Sequence, residues 1–333
     1  VSKQAWLRLQ LADVWLVAFR IGMSFSSCNL GCRGMVSLAA RLPAVLENLH
    51  LHFRWCSMGT AGVASLAGHL PATLQRLRLG FRGCGVKAEA AYAIAQGLPS
   101  DLRELHLELR GSCIGSDGVK ALANKLPRSL TELHLDLRDS GMSSEALRDV
   151  ARSLPGELQR MHLLFGGCRF TPEDVCFLGT ALPPRLRQLH LVFGGCCLGD
   201  DAARALAESL GMEITELYLD FAWCSIFEAG VSALARSLPI KLRKLRLSLG
   251  GCKLGRESAL ALAEHLPAEL ERLHLDLSRC RIGATGARAV LERIPWRLET
   301  LLLDIRGCAV AREERQALRE LLPERLSSRS IVF

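Results

Sequence analysis

The sequence predicts an α/β solenoid, in which each repeated unit contributes one β-strand and one short α-helix. The first observation is a proline column with a spacing of 28 residues, at Pro43, Pro71, Pro99, Pro127, Pro155, Pro183, Pro239, Pro267, Pro295 and Pro323. The second is a cysteine column with the same spacing, at Cys28, Cys56, Cys84, Cys168, Cys196, Cys224, Cys252, Cys280 and Cys308. A fixed period without insertions is typical of solenoids, so the 333 residues predict one elongated domain instead of two globular ones.

Alternating leucines indicate the strand of each unit. In a representative unit, Leu105, Leu107 and Leu109 are separated by His106 and Glu108. A period of two predicts a β-strand with one buried face and one face in solvent.

The helix of the same unit follows after a turn. Gly115 can adopt the positive φ of a turn, and Leu122, Ala123 and Leu126 then form an apolar stripe at helical spacing. Pro127 is expected to stop the helix, because proline cannot donate a hydrogen bond to the preceding turn. Since helices are wider than strands, stacked units are expected to curve, with a parallel β-sheet on the concave face and helices on the convex face.

The pattern L-x-x-L-x-L-x-L-x-x-C-x-[LI]-G, followed by G-x-x-x-L-A-x-x-L-P, resembles leucine-rich repeats of the ribonuclease-inhibitor-like subclass. It is carried by Leu105, Leu107, Leu109, Ile114, Gly118, Leu122, Ala123 and Leu126. The resemblance covers roughly residues 16–333 and implies a horseshoe-shaped leucine-rich-repeat solenoid that binds protein partners on its concave face. One extra strand leucine departs from the family and predicts a strand longer by one residue pair. Inhibition of basic ribonucleases, known in the subclass, suits an acidic protein, whereas this chain has a net charge of +8.

The two ends of the chain fit the repeat less well. Residues 1–15 are predicted to be a degenerate N-terminal cap or partial repeat, and residues 16–333 to be eleven repeats with a partial twelfth. Ile331 to Phe333 occupy strand positions of that twelfth unit. Because an uncapped apolar strand edge is unusual, we expect further chain or a partner to cover it. Val1 in place of Met indicates a fragment or a processed chain.

The cysteine column is interpreted as a structural position. Nine stacked thiols could bind metal or do redox chemistry, but Ser112 and Ser140 fill two positions of the column, and serine is a poor zinc ligand. We therefore expect a small side chain that hydrogen-bonds the neighbouring turn, and no metal or cofactor. A buried column of free thiols also indicates the cytoplasm or another reducing compartment.

Four arginines at equivalent positions form the first candidate binding site: Arg54, Arg82, Arg110 and Arg138. Stacked like charges repel unless a carboxylate or another anion balances them, so an acidic segment of a partner could dock there. The alternative is a solvated face with local ion pairs.

The second candidate is an apolar patch on the solvent side of the middle repeats, formed by Leu164, Val192, Tyr218 and Trp223. Exposed apolar surface beside charge often marks an interface, and Tyr and Trp are frequent anchors. The alternative for Trp223 is that it folds over its own turn, as Trp55 would.

The third candidate is a histidine ladder at His106, His134, His162 and His190. It could bind metal or sense pH, since imidazoles titrate near neutrality. The alternative is a polar spacer between the leucines.

These patterns predict a non-catalytic scaffold that binds a protein partner, either alone or as a subunit of a larger assembly. No H-E-x-x-H, P-loop or G-x-S-x-G motif is present, and no apolar stretch is long enough for a membrane span. The alternative function is a basic module that binds nucleic acid or an anionic surface, because 42 residues are Lys or Arg against 34 Asp or Glu.

Overall fold

The computed structural model describes residues 20–28, 30–326 and 330–333. The chain forms two compact units, one ending at Leu164 and the other beginning at Phe165. In the first unit the strands are β1 (Arg20–Ser24), β2 (Asn48–His52), β3 (Arg76–Gly80), β4 (Glu104–Glu108), β5 (Glu132–Asp136) and β6 (Arg160–Leu164). In the second they are β7 (Gln188–Val192), β8 (Glu216–Asp220), β9 (Lys244–Ser248), β10 (Arg272–Asp276), β11 (Thr300–Asp304) and β12 (Ile331–Val332).

A helix follows each strand from β1 to β11. The first unit contains α1 (Gly31–Ala39), α2 (Gly59–Gly68), α3 (Ala88–Gly97), α4 (Gly115–Asn124) and α5 (Ser144–Ser153). The second contains α6 (Pro172–Thr180), α7 (Asp200–Glu208), α8 (Glu228–Arg236), α9 (Arg256–Glu264), α10 (Gly283–Glu292) and α11 (Arg312–Glu320). Among the described residues, no helix is long and apolar enough to cross a membrane.

Within each unit the strands are parallel and adjacent in chain order. Their register is offset by one repeat throughout, so that Leu105 of β4 lies opposite Leu133 of β5, and Leu217 of β8 opposite Leu245 of β9. Neighbouring helices within each unit also pack on one another. The predicted α/β solenoid of parallel strands alternating with helices is confirmed. The expectation of a single domain stays a prediction.

The core lies between the strands and the helices. Leucines at the second and fourth strand positions are buried, as are the leucines and alanines of the helices. Directly after several strands a phenylalanine stacks on its equivalent in the next repeat, for example Phe53 on Phe81 with ring centroids 5.6 Å apart and Phe193 on Phe221 at 5.7 Å. The leucine alternation therefore identified the buried face correctly, whereas this aromatic column was not anticipated.

The strand of the representative unit, β4, is five residues long. The next residue, Leu109, is buried and its N–H donates to the carbonyl of Asp136 at 2.8 Å. The extra leucine therefore extends the pairing with β5 by one bond beyond the end of the strand.

The helix ends earlier than the proline column predicted. Helix α4 ends at Asn124, and the next two N–H groups donate to carbonyls three residues back, as in a tightened last turn. Pro127 lies beyond this turn, and its carbonyl accepts the N–H of Leu130 at 3.3 Å. Proline therefore directly follows the last turn of the helix, and its carbonyl also takes part in the turn that leads into the next strand.

The third residue after each strand from β1 to β11 has a positive φ. These residues are Ser27, Trp55, Gly83, Gly111, Asp139, Gly167, Gly195, Trp223, Gly251, Arg279 and Gly307. The N–H of this residue donates to a carbonyl of the next repeat, as from Trp55 to Arg82 at 3.0 Å and from Trp223 to Gly250 at 2.8 Å. The left-handed conformation costs a non-glycine residue roughly 1–2 kcal/mol, so the two tryptophans adopt a backbone conformation that is unfavourable for them.

The cysteine that follows this residue links the turn to the preceding repeat by a hydrogen bond. Its thiol donates to a carbonyl in the preceding turn, for example from Cys196 to Phe165 at 3.3 Å and from Cys280 to Leu249 at 3.4 Å. Burial raises the pKa of both thiols to about 12, which keeps them protonated donors. The expected small, turn-facing position is confirmed.

Serine does not replace this contact. The side-chain oxygens of Ser112 and Ser140 are buried and have no hydrogen-bond partner in the described part of the chain. The expectation that serine mimics the cysteine as a donor is therefore wrong, because its shorter C–O bond does not bring the hydroxyl to the carbonyl.

The predictions for the two ends differ in outcome. The proposed cap at residues 1–15 lies outside the described residues. Ile331 and Val332 pair with Leu303 and Asp304 of β11, as the repeat predicted. The covering of this edge stays a prediction.

The serine positions of the column give a stability test. Ser140→Cys is expected to raise the free energy of unfolding by about 1 kcal/mol, because the thiol reaches the carbonyl and removes an unsatisfied buried hydroxyl. Urea denaturation of the variant and the wild type measures the difference. The converse change, Cys280→Ser, should destabilise, and a Ser140→Cys protein less stable than wild type would contradict this description of the turn.

Candidate functional site

The solvent-facing side chains of the strands form three columns in each unit, at the first, third and fifth strand positions. We call this surface the strand face. The first column was missed by the sequence analysis and is strongly charged: it comprises Arg76, Glu104, Glu132 and Arg160 in the first unit, and Glu216, Lys244 and Arg272 in the second. The sequence contained a sign of this column, because its acidic and basic residues are separated by 28 positions.

Most charges of the first column are neutralised across strands. Arg76 Nε lies 2.7 Å from Glu104 Oε1, and Lys244 Nζ lies 2.6 Å from Glu216 Oε1. Arg160 pairs with Glu132 in the same way. These ion pairs leave little net charge along this edge of the first unit.

The four predicted arginines lie in turns, two residues beyond the strand ends, and they divide into two pairs. Arg138 is held by Asp136, with Nε–Oδ1 at 2.8 Å and Nη2–Oδ2 at 2.5 Å. Arg110 Nε lies 3.3 Å from Asp139 Oδ2. For these two arginines the alternative of local ion pairs is the better description.

The other pair, Arg54 and Arg82, forms no ion pair with any carboxylate of the described residues. Arg54 is exposed and Arg82 half-buried. Trp55 directly follows Arg54 in its turn, is 59% exposed and has a φ of 60°, and its N–H donates to the carbonyl of Arg82 at 3.0 Å. Its ring lies against Gly83 of the next repeat, where any side chain would collide with it. The result is an exposed indole in the same pair of turns as two arginines that lack carboxylate partners.

The histidine ladder of the first unit is closely packed. The rings of His106 and His134 stack with centroids 3.6 Å apart, and His134 Nδ1 lies 3.3 Å from His162 Nδ1. His106 Nε2 also lies 3.5 Å from Glu108 Oε1, and this contact is the main reason why the pKa of Glu108 is below its usual value. In the second unit the ring of His190 meets the ring of Tyr218 edge-on at 5.5 Å.

Two further histidines lie close together on β2, and the sequence analysis did not predict this contact. His50 Nε2 and His52 Nε2 lie 2.6 Å apart. Burial, followed by the charges of His52 and Arg78, lowers the pKa of His50, and burial followed by Arg246 lowers the pKa of His274. Among the described residues, no group of three or more His, Cys, Asp or Glu side chains is arranged to hold a metal ion.

The predicted apolar patch is only partly exposed. Val192 is 6% exposed, so its expected exposure is wrong; its short side chain is flanked by Asp220 at the same register. Leu164 and Tyr218 are half-buried, and the guanidinium of Arg246 lies over the Tyr218 ring at 4.6 Å.

Trp223 behaves as Trp55 does. It is 61% exposed, and its ring lies where a Cβ on Gly251 would come within 2.7 Å. The guanidinium carbon of Arg279 is 5.3 Å from the ring centroid. The ring of Trp223 therefore lies over the turn of the next repeat, whereas the alternative placed it over its own turn, and the side chain stays largely exposed to solvent.

Three further exposed apolar side chains were not anticipated. Met212, Ile240 and Trp296 are 55%, 68% and 70% exposed, and each directly follows the proline position of its unit. They lie at the opposite end of the strands from the arginines. A comparison of the residues that follow the proline position in successive repeats would have identified these three side chains.

Comparisons with known proteins agree with this architecture. A family model described as Leucine Rich repeat matches residues 105–123 and 273–291. No curated protein matches the chain.

Among solved structures, the chain is similar to the leucine-rich repeat-containing protein LegL7 from Legionella pneumophila, with 15% identity, a TM-score of 0.44, and coverage of 94% of this chain and 89% of that chain. It is also similar to a chain in the Rad7 and Elc1 complex in yeast, with 14% identity, a TM-score of 0.47, and coverage of 92% and 81%.

The repeat pattern and the strand–turn–helix unit are those of a leucine-rich-repeat fold, and the family model matches two of its units. The ribonuclease-inhibitor-like subclass stays a prediction.

The lowered pKa values of His50 and His274 predict a pH dependence. Between the folded-state pKa and the ordinary value of 6.5, the unfolded chain binds more protons than the folded chain, so stability falls as pH falls through this range. A His50→Gln/His274→Gln variant should lose less stability than wild type between about pH 7.5 and about pH 5. Urea denaturation across this range measures it; equal losses in the two proteins would show that these histidines do not contribute.

Proposed function

We propose that this protein is a non-catalytic scaffold that binds a partner protein through the strand face and the adjoining turns of its first unit. In a horseshoe-shaped leucine-rich-repeat protein this is the concave side. The supporting observation is that Arg54 and Arg82, at equivalent positions of adjacent turns, have no carboxylate partner among the described residues, and that the exposed Trp55 directly follows Arg54. Larger assemblies containing this chain would use the same surface.

The chemistry of this group indicates an acidic segment as the ligand. Arginine presents paired N–H donors that match a carboxylate, and such charge-assisted bonds are stronger than neutral ones. Trp55 adds an apolar surface that loses little entropy on binding, because its ring is already held against Gly83. An acidic stretch that contains an apolar side chain would satisfy both features.

The remaining candidates of the first unit are proposed as the rim of this interface. They are Arg110, Arg138, His106, His134, His162 and Leu164. The candidates of the second unit, His190, Val192, Tyr218 and Trp223, are not part of this interface and stay predictions. Arg110 and Arg138 would contribute less than Arg54 and Arg82, since a partner carboxylate would have to compete with Asp139 and Asp136.

Nucleic acid remains the alternative ligand. Trp55 could stack on a base and the flanking arginines could contact phosphates. Against this, many arginines of the strand face are neutralised by carboxylates, as in the pairs Arg76–Glu104 and Arg306–Asp304, so a continuous basic track is missing from the described surface.

We also propose a reducing compartment such as the cytoplasm. All thirteen cysteines are free thiols, and those of the column use their S–H as a hydrogen-bond donor. Oxidation would remove that donor.

Charge reversal tests the proposed surface. Arg54→Glu/Arg82→Glu should reduce recovery of the partner from a native extract by about tenfold or more, because two attractive contacts become repulsive. Crosslinking mass spectrometry identifies the partner and its contacting peptides, which should be rich in Asp and Glu. The matched control, Arg33→Glu/Arg128→Glu, changes the charge equally at exposed positions outside the strand face and should recover the partner as wild type does.

Two outcomes would contradict the proposal. One is equal recovery of the same partner by wild type and Arg54→Glu/Arg82→Glu. The other is loss of capture after nuclease digestion of the extract, which would identify nucleic acid as the ligand.

A further inference from the structure

The strand face of the second unit contains a cavity of about 470 Å³ over strands β7 to β11. Its cationic lining consists of Lys244, Arg246 and Arg272, and its apolar lining includes Tyr218 and Leu302. A cavity of this size accommodates one or two amino-acid side chains of a bound peptide.

The charges around this cavity are not balanced. Glu216, the acidic residue of the lining, is already paired with Lys244 at 2.6 Å. Arg246 and Arg272 form no ion pair with any carboxylate in the part of the chain that the structure describes. Two guanidinium groups on adjacent strands therefore face the same cavity without an anion.

Contacts within the fold orient one of these groups. The guanidinium carbon of Arg246 lies 4.6 Å from the centroid of the Tyr218 ring. A cation–π contact holds the plane of the group but occupies none of its N–H bonds. Those donors stay available for a carboxylate, which arginine can bind through two parallel hydrogen bonds.

The acidic residues at the other end of these strands are already engaged. Asp304 accepts three hydrogen bonds from the Arg306 side chain, with Nη2–Oδ2 at 2.6 Å. Asp276 accepts the backbone N–H of Ser278 and Asp220 that of Ala222, both at 2.9 Å. Among the described residues, none of the three carboxylates forms an ion pair with Arg246 or Arg272, so the cavity keeps its positive character.

We propose that this cavity is a second binding site, which takes a peptide carboxylate next to an aliphatic side chain. The carboxylate would lie between Arg246 and Arg272, and the aliphatic group would pack on Tyr218 and Leu302. Both a glutamate side chain and a free chain terminus supply this chemistry. The site lies in the second unit and uses none of the residues Arg54, Trp55 and Arg82, so it goes beyond the proposed function.

Fluorescently labelled heptapeptides test the site directly on the full chain. The first carries a central Glu-Leu pair between Gly and Ser residues and has an amidated C-terminus. The second has no acidic side chain and ends in Leu with a free carboxylate. The third replaces the Glu of the first with Gln. Fluorescence anisotropy at low salt measures binding of each.

The first or the second peptide, or both, should bind, and the Gln peptide should bind about tenfold more weakly or not at all. Arg246→Gln/Arg272→Gln should weaken binding of the carboxylate peptide by about tenfold or more. Arg236→Gln/Arg288→Gln removes the same charge from exposed positions of α8 and α10, and it should bind as wild type does. Preference for the first or second peptide distinguishes a side-chain ligand from a chain terminus.

Three results would overturn this inference: no binding of any carboxylate peptide, equal binding of the Gln peptide, or equal effects of the two double variants. If Arg54→Glu/Arg82→Glu abolishes peptide binding while Arg246→Gln/Arg272→Gln does not, the peptide binds the first unit. In that case the second site is wrong and the proposed function stands. If Arg54→Glu/Arg82→Glu recovers the partner as wild type does, while Arg246→Gln/Arg272→Gln loses peptide binding, the second site stands and the proposed function is wrong.

Discussion

The turn between each strand and its helix is the constraint on which the rest of the structure depends. One residue of this turn adopts a left-handed conformation and donates its N–H to the next repeat, and the following cysteine donates its thiol to the preceding repeat. Each turn therefore touches both neighbours. An insertion or deletion would break both contacts, which explains why the spacing stays at 28 residues from Cys28 to Cys308.

Fixed spacing also determines what the strand face can do. Equivalent residues stand beside each other, so the sequence of one column sets the local chemistry of the surface. Where acids and bases alternate, as at Arg76 and Glu104, the charges neutralise each other. Where they do not, as at Arg54 and Arg82 or at Arg246 and Arg272, positive charge remains for a ligand. The two tryptophans occupy left-handed turn positions at an energetic cost, and such positions often coincide with binding sites.

The fold could be predicted almost completely from the sequence, because periodicity of leucine, proline and cysteine reports directly on backbone geometry. The site could be predicted only in part. The repeat spacing predicted correctly which residues stand at equivalent positions. It could not predict whether Arg138 is available to a ligand, because its ion pair with Asp136, two residues earlier, depends on the rotamers of both side chains. The burial of Val192 likewise depends on side chains of adjacent strands, such as Asp220 at the same register. The end of the representative helix was placed two residues late, because Leu126 was counted in the helix although it lies in the tightened last turn.

Thiol reactivity in the native protein tests the central claim most directly. Quantitative alkylation with mass spectrometry at neutral pH should modify the exposed Cys32, Cys113, Cys176 and Cys197 rapidly. The column thiols Cys196, Cys224, Cys252, Cys280 and Cys308 should react only after unfolding, because each is buried and donates its S–H to the preceding turn. Equal alkylation rates for Cys280 and Cys113 without denaturant would contradict the turn as described.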